Sequence, residues 1–265
     1  MRYEYKYYVP FADLPWLRET ILPFVKPDKH AEGKEENTYT VRSIYYDTPH
    51  LHFYKEKVEG LRYRKKLRVR GYDEESEDGI VFLEIKRKIE IPLRKNRVPL
   101  SFKQAWELLS GKIEIEDLDI NLAKYPHALD DVKKFLFHYY GKNLRPMVLV
   151  VYDREPYLSK SDSTIRVTFD KHLRSSAFPQ LSELYQENGI KHAFKDQFIL
   201  EVKFNDHYPA WMKPLIAYLG VRQKSASKYV ISMDAHQISQ YSPERILSIA
   251  PNIHSSSSNQ QLLTR

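Results

Sequence analysis

The sequence predicts an α+β fold in which eight antiparallel β-strands close into a barrel and helices brace the outside of it. Three observations support this prediction: about eight short runs have period-2 character, helical patterns lie between them, and no internal repeat or Pro/Gly-rich linker divides the chain of 265 residues. The runs are Arg2–Val9, Thr38–Tyr46, Leu61–Tyr72, Ile80–Lys88, Arg94–Leu100, Met147–Tyr152, Thr164–Asp170 and Gln197–Phe204.

The clearest turn signal is the acidic stretch Asp73–Gly79. Its Asp78-Gly79 pair favours the positive φ angles of a tight hairpin, so it should join two long antiparallel strands. Helices are predicted where apolar residues recur at helical spacing behind capping residues, which occurs at Ala12–Phe24 (with Asp13 as N-cap), after Ser101, from about His127 to Tyr140, at Pro209–Leu219 and at Ser227–His236.

One domain is expected over residues 1–240. Residues 241–265 are expected to form a C-terminal extension that is mobile from about residue 251, where Ser and Gln dominate.

The composition favours an anionic partner. The chain has 42 Lys and Arg against 35 Asp and Glu, a net charge of +7 and a pI near 9.2, which suits a nucleic acid, an acidic membrane surface or a polyanionic small molecule. Cys is absent, so disulfides and thiolate chemistry are excluded. Because no apolar run is long enough to cross a membrane and a reducing compartment fits a Cys-free chain, we expect a cytoplasmic protein without a membrane span.

Cations are concentrated on one face of several predicted strands. In a strand over Leu61–Tyr72, alternate residues share a face, and the strands that follow repeat the pattern. A single strand of this kind could be a solvated outer face, but several with the same arrangement indicate a cationic barrel interior with helices covering the apolar outer faces. The inward set is Arg62, Arg64, Lys66, Arg68, Arg70, Glu84, Lys86, Lys88, Lys95, Arg97, Tyr152, Arg154, Arg166, Glu201 and Lys203.

Three carboxylates are interleaved with these cations. Glu4, Glu84 and Glu201 each precede a lysine by two residues, which places each acid beside a cation on the same face. Each pair could be a structural ion pair. Three carboxylates in one interior also suit Mg²⁺ or Mn²⁺ shared with phosphate oxygens.

Nine ordered segments resemble a known family, the triphosphate tunnel metalloenzymes, and within it the VTC (vacuolar transporter chaperone) polyphosphate polymerase domain. They are RYEYKYYV from Arg2, SIYYDTP from Ser43, LRVRGY from Leu67, FLEIKRK from Phe82, KNR from Lys95, VYDREPY from Val151, IRVTFD from Ile165, ILEVKF from Ile199 and SASKYV from Ser225. The short motif Glu-x-Lys is common by itself. The nine segments, however, occur in the same order as in the family and together span roughly residues 2–235.

The resemblance implies an eight-stranded triphosphate tunnel that transfers the γ-phosphoryl group of ATP to a growing polyphosphate chain with Mn²⁺ or Mg²⁺. With the inward pattern, it assigns catalytic roles to Arg68, Arg70, Lys86, Arg154, Arg166 and Lys203. Substrate binding is assigned to Lys6, Arg62, Arg64, Lys66, Lys88, Lys95, Arg97, Tyr152 and Lys228. The metal is assigned to Glu201, Glu84 and Glu4.

Two departures from the family pattern bear on the reaction. Triphosphatase-type members open with ExExK, whereas this chain has Arg2 at the first acidic position, which favours the polymerase branch. The polymerase pattern often has a lysine where this chain has Ser225, with Lys224 one residue away.

Three alternative functions stay open. They are an inorganic or nucleotide triphosphatase of the same fold, a non-catalytic polyphosphate-binding module and a nucleic-acid-binding module. Nucleic acid is disfavoured because tyrosines such as Tyr45 and Tyr63 fall on the opposite parity from the cations, which suits core packing better than base stacking.

Overall fold

The computed structural model describes residues 2–76, 79–88 and 93–250, except for the side chains of residues 93 and 94. Within these ranges the fold is α+β, as predicted, and one antiparallel sheet contains ten strands. The strands are β1 (Arg2–Pro10), β2 (Val25–Pro27), β3 (Tyr39–Asp47), β4 (Arg64–Tyr72), β5 (Ile80–Lys88), β6 (Leu93–Ser101), β7 (Arg145–Ser159), β8 (Arg166–Ala177), β9 (Lys191–His192) and β10 (Gln197–Asn205).

The α-helices in this part of the chain are α1 (Leu14–Ile21), α2 (His52–Val58), α3 (Phe102–Leu109), α4 (Ala128–Gly141), α5 (Met212–Tyr218), α6 (Lys228–Ala235) and α7 (Pro243–Ile249). All five predicted helices are confirmed. Ser101 caps α3, as predicted: its hydroxyl accepts from the Gln104 N–H at 3.1 Å, and the Gln104 side chain accepts in return from the Ser101 N–H. The helices α2 and α7 were not predicted.

The closed eight-stranded barrel is not confirmed. Eight strands follow the order β1-β10-β8-β7-β3-β4-β5-β6, while the short strands β2 and β9 pair with β7 and β8. In the residues that the structure describes, the two ends of this order, β1 and β6, do not pair with each other. Pro99 lies within β6 and has no N–H to donate, which suits an edge strand. The sheet is therefore an open one, with α3 and α4 packed near the β6 end.

The hairpin between β4 and β5 is confirmed, with Arg70 opposite Phe82 and Arg64 opposite Lys88. The positive φ angle lies at Asp73 (53°) rather than at Gly79, and Asp78 lies outside the described residues. The Asp73 carboxylate accepts a hydrogen bond from the Thr40 N–H at 3.0 Å, which attaches the start of the turn to β3.

The outer face of the sheet is apolar and covered by helices, as predicted. Outward residues of β4 and β5, such as Leu67 and Leu83, form one buried cluster with Leu108 of α3 and Phe135 of α4. Outward residues of β1 and β10 form another cluster with α1 and α5. Since side chains alternate along a strand, this packing turns the charged residues to the opposite face.

The C-terminal extension starts with a packed helix. Ile246 of α7 and the following Ala250 are buried in a cluster that also contains Tyr229 of α6. The segment expected to be mobile, from about residue 251, lies outside the described residues. Among the helices described, none is both long and apolar enough for a membrane crossing.

Asp47 joins three parts of the fold through one buried carboxylate. It accepts from the N–H groups of Thr48, Phe53 and Tyr54 at 2.7, 2.9 and 2.8 Å, so it satisfies the first turn of α2. It also accepts from the Tyr229 hydroxyl of α6 at 2.6 Å. Burial raises the pKa of Asp47 to about 6, so the carboxylate is mainly ionised at pH 7.

We predict that Asp47→Ala lowers the free energy of unfolding by about 2–4 kcal/mol, because four buried donors lose their acceptor. Urea unfolding would measure the change. Tyr229→Phe removes one of the four bonds and should cost about 1 kcal/mol. Equal losses for the two variants would contradict the role given to Asp47.

Candidate anion-binding cavity

The charged face of the sheet surrounds a cavity of about 450 Å³. Residues from both ends of the sheet line it, including Arg2 of β1 and Arg97 of β6, so the sheet curls around this space although its edges do not pair. Two carboxylates, Glu4 and Glu201, line the cavity against twelve described cations. The cations are Arg2, Lys6, Lys66, Arg68, Arg70, Lys86, Lys95, Arg97, Arg154, Arg166, Lys203 and Lys228.

Most predicted site residues meet in this cavity, but four do not line it. Arg62 precedes β4 in an exposed bend, and Arg64 and Lys88 lie opposite each other at the far end of the β4–β5 ladder. Glu84 is fully buried and pairs with cations that line the cavity. The functional roles assigned to all these residues stay predictions.

Tyrosine hydroxyls hold several of the cavity arginines. Arg68 donates to Tyr45 at 2.6 Å, and longer contacts join Arg97 to Tyr72 at 3.2 Å, Arg166 to Tyr39 at 3.4 Å and Arg70 to Tyr152 at 3.5 Å. Each contact directs a guanidinium group into the cavity without neutralising it.

Tyr45 packs in a buried apolar cluster with Tyr229, as its parity predicted, although it also lines the cavity. The same prediction was wrong for Tyr63, which is 63% exposed. Tyr39 and Tyr45 are both odd-numbered residues of β3 and so share one face of the strand. This alternation could have predicted that both tyrosines line the cavity.

Glu84 is surrounded by three cations. Its carboxylate lies 2.7 Å from Arg68 Nε, 2.9 Å from Lys95 Nζ and 3.2 Å from Arg97 Nε. Burial alone would raise the pKa of Glu84, but Arg68, Arg70 and Lys95 hold it well below its ordinary value. Glu84 therefore fixes one end of the cationic wall as a permanent anion.

Asp170 of β8 is a second buried carboxylate that holds cavity cations, on a strand several positions away from β5 in the sheet. Arg154 makes a bidentate pair with it, at 2.6 and 2.8 Å, and Lys228 of α6 contacts its second oxygen. Burial opposes ionisation, but Arg154 and Lys228 lower the pKa of Asp170 to about 2. Removing Arg154 would leave a buried carboxylate with one partner fewer, so Arg154 supports the fold as well as the cavity.

Glu4 and Glu201 lie diagonally across the β1–β10 ladder, with Glu4 opposite Lys203 and Lys6 opposite Glu201. Lys6 Nζ lies 2.6 Å from Glu4 and 3.4 Å from Glu201, and Lys203 contacts both acids as well. Burial raises the pKa values of both acids, and Glu201 also raises the pKa of Glu4, but Lys203 and Lys6 hold the pKa values of both acids below their ordinary value.

This pair of carboxylates has the ligand chemistry of a hard divalent cation. Glu84 does not join them, because Arg68, Lys95 and Arg97 occupy its oxygens. Across the described ranges, no three His, Asp or Glu side chains are grouped so as to hold a metal. A metal ion bound to Glu4 and Glu201 would therefore need its other ligands from water or from a bound phosphate.

Four cavity cations have no carboxylate within ion-pair distance in the part of the chain that is described: Arg2, Lys66, Arg70 and Lys86. Arg70 contacts the Ser43 hydroxyl at 3.1 Å, and Lys66 contacts the Ser227 hydroxyl at 2.7 Å. Arg68, burial and Arg70 lower the pKa of Lys86 far below its ordinary value. Like charges held this closely repel one another, so a bound polyanion would relieve a repulsion that is built into the fold.

We predict that anion affinity falls as the pH rises above 7. Burial and neighbouring cations lower the pKa of Lys66 to about 7, and a bound anion must raise it. The complex therefore holds more protons than the free protein above pH 7, which weakens binding as protons are removed. Calorimetric titration of tripolyphosphate between pH 6 and 9 would measure this fall. Lys66→Arg stays charged and should flatten it; an unchanged pH profile in that variant would contradict the role of Lys66.

A search of curated proteins gave no match. A family model described as the VTC domain matches residues 1–236. This range contains all the described strands and α1 to α6, and with them every residue that lines the cavity. The chain therefore belongs to the VTC domain family, whose function is related to polyphosphate.

Proposed function

We propose that this protein is a metal-dependent polyphosphate polymerase, which transfers the γ-phosphoryl group of ATP to a growing polyphosphate chain in the cationic cavity. The observation that carries the proposal is the set of four cavity cations without a carboxylate partner among the described residues, Arg2, Lys66, Arg70 and Lys86, in a chain of the VTC domain family. Under this proposal the curled sheet acts as a tunnel for polyphosphate.

The chemistry needs little more than position and charge. A terminal oxygen of the polyphosphate chain attacks the γ-phosphorus of ATP, the bond from that phosphorus to the β–γ bridging oxygen breaks, and ADP leaves. Transfer therefore consumes no water. Donors fixed around the phosphoryl oxygens stabilise the charge that shifts in such a reaction, and no covalent protein intermediate is required.

The cavity cations contribute to phosphate binding in two different ways. Arg68 and Arg154 are held by Glu84 and Asp170, so they offer donors in a fixed position. Lys86 and Arg70 have no carboxylate within ion-pair distance among the described residues, so a bound phosphate would be their counter-ion and would favour the protonated form of Lys86. Fixed donors lose little conformational freedom when substrate binds, which favours the transition state.

Glu4 and Glu201 are the residues that would hold Mn²⁺ or Mg²⁺. A divalent ion bound there supplies Lewis-acid stabilisation of phosphate oxygens. Lys6 and Lys203 lie against the same carboxylates and compete for their oxygens, so the lysines are free to contact phosphate when the carboxylates hold a cation.

Arg2 favours transfer to a phosphate chain over hydrolysis. It lines the cavity at the position where triphosphatase-type members have an acid, so the β1 wall has one carboxylate fewer for a second metal.

We predict that the protein with ATP and Mn²⁺ forms long-chain polyphosphate and ADP, and that Lys86→Gln lowers the rate by about 100-fold because an unpaired phosphate donor is lost. Polyphosphate gels and a phosphate assay would follow both products. Arg87→Gln is the matched control, since Arg87 is the next residue on β5 and contacts Asn96 at 2.6 Å on the outer face. Orthophosphate alone would indicate a triphosphatase, and no turnover would leave a binding module.

We also predict that Glu201→Gln weakens Mn²⁺ binding in the presence of tripolyphosphate by about tenfold or more, because an amide is a poorer ligand than a carboxylate. Electron paramagnetic resonance titration of free Mn²⁺ would measure this directly. Glu19→Gln, an exposed change on α1, removes the same charge and should leave the titration unchanged. Identical curves for wild type and Glu201→Gln would exclude Glu201 as a ligand.

A further inference from the structure

The segment that leads into α6 is held by three lysine amines from three different elements. Lys57 of α2 donates to the Ser225 hydroxyl at 2.7 Å, and Lys66 of β4 donates to the Ser227 hydroxyl at 2.7 Å. Lys6 of β1 donates to the carbonyl oxygen of residue 226 at 3.2 Å. Three ammonium groups therefore converge on three consecutive residues.

Two of these amines have only neutral partners. Lys6 is paired with Glu4 and Glu201, but Lys57 and Lys66 have no carboxylate within ion-pair distance in the described ranges. Burial, Arg64, Lys6 and Lys88 all lower the pKa of Lys57, so its surroundings are positive. A serine hydroxyl accepts a hydrogen bond without supplying negative charge.

The position of Lys57 continues the line of cations beyond the cavity. Lys66 and Ser227 line the cavity, whereas Lys57, Arg64 and Lys88 do not. Arg64 and Lys88 lie opposite each other at the end of the β4–β5 ladder, and both act electrostatically on Lys57. Unneutralised charge therefore extends from the cavity past Lys66 to a cluster outside it, which we call the outer cluster: Lys57, Arg64 and Lys88.

We infer that the outer cluster, through Lys57 in particular, binds the part of a polyphosphate chain that extends past the cavity, so that the protein binds long chains more tightly than tripolyphosphate. This inference rests on the proposed function for the class of ligand. A short anion held by Lys86 and Arg70 inside the cavity would not reach Lys57, whereas a long chain leaving past Lys66 would meet it next.

The test compares two probes, inorganic tripolyphosphate and long-chain polyphosphate, bound to the full chain without ATP. Lys57→Gln should weaken long-chain binding by about fivefold or more, as loss of a charge-assisted hydrogen bond implies, and change tripolyphosphate binding by less than about twofold. Lys55→Gln is the matched control, because Lys55 is exposed on the same helix and should alter neither affinity. Lys57→Arg keeps the charge and should restore long-chain binding.

A second variant that adds positive charge keeps the test valid if Lys57→Gln does not fold. Ser225→Lys adds a cation beside Lys57 and should strengthen long-chain binding by about threefold, while leaving tripolyphosphate binding unchanged. Equal losses for both probes in Lys57→Gln, or no loss for either, would overturn the inference.

Because these are binding measurements, they separate the inference from the proposed function. Length-dependent binding without turnover would support the role of the outer cluster and contradict the polymerase function. Turnover with equal affinity for both probes would support the polymerase function and contradict the role of the outer cluster.

Discussion

Repulsion between like charges is the constraint on which this structure depends. Twelve cations share one cavity, and the fold tolerates them by placing a few buried carboxylates among them. Glu84 and Asp170 each hold two or more cations in fixed positions. Tyrosine hydroxyls such as that of Tyr45 hold guanidinium groups in place without cancelling their charge. Repulsion between the cations destabilises the inner face of the sheet. Burial of the apolar outer face under the helices stabilises the sheet against this repulsion.

This arrangement creates two kinds of cation. Residues such as Arg154 are paired in the fold itself, so their geometry exists before any ligand arrives. In the described part of the chain, Lys86 and Arg70 have no carboxylate partner, so a bound ligand can supply the negative charge that they lack. The first kind gives fixed geometry and the second gives affinity. A cavity with only paired cations would bind phosphate weakly, and one with only unpaired cations would not stay folded.

Strand parity was enough to predict which face is charged, because alternation along a strand is fixed by the backbone. It could not tell which carboxylates are already paired: Glu84 was grouped with Glu4 and Glu201, but the tertiary fold places Arg68, Lys95 and Arg97 against its oxygens. Arg62 was misplaced because β4 begins at Arg64. Lys57 was not predicted as a site residue, because it lies on α2 and reaches Ser225 only through the tertiary fold.

The pairing of β1 with β10 has a consequence for how the chain is made. Arg2–Pro10 is translated well before the one strand that it pairs with in the described sheet, which ends at Asn205. Until β10 has been synthesised, β1 is a strand without this partner, carrying charged and tyrosine side chains and open backbone groups. Such sequence-distant pairing slows folding and exposes an edge to other chains. The ion pairs of Lys6 with Glu201 can form only after nearly the whole domain has been synthesised.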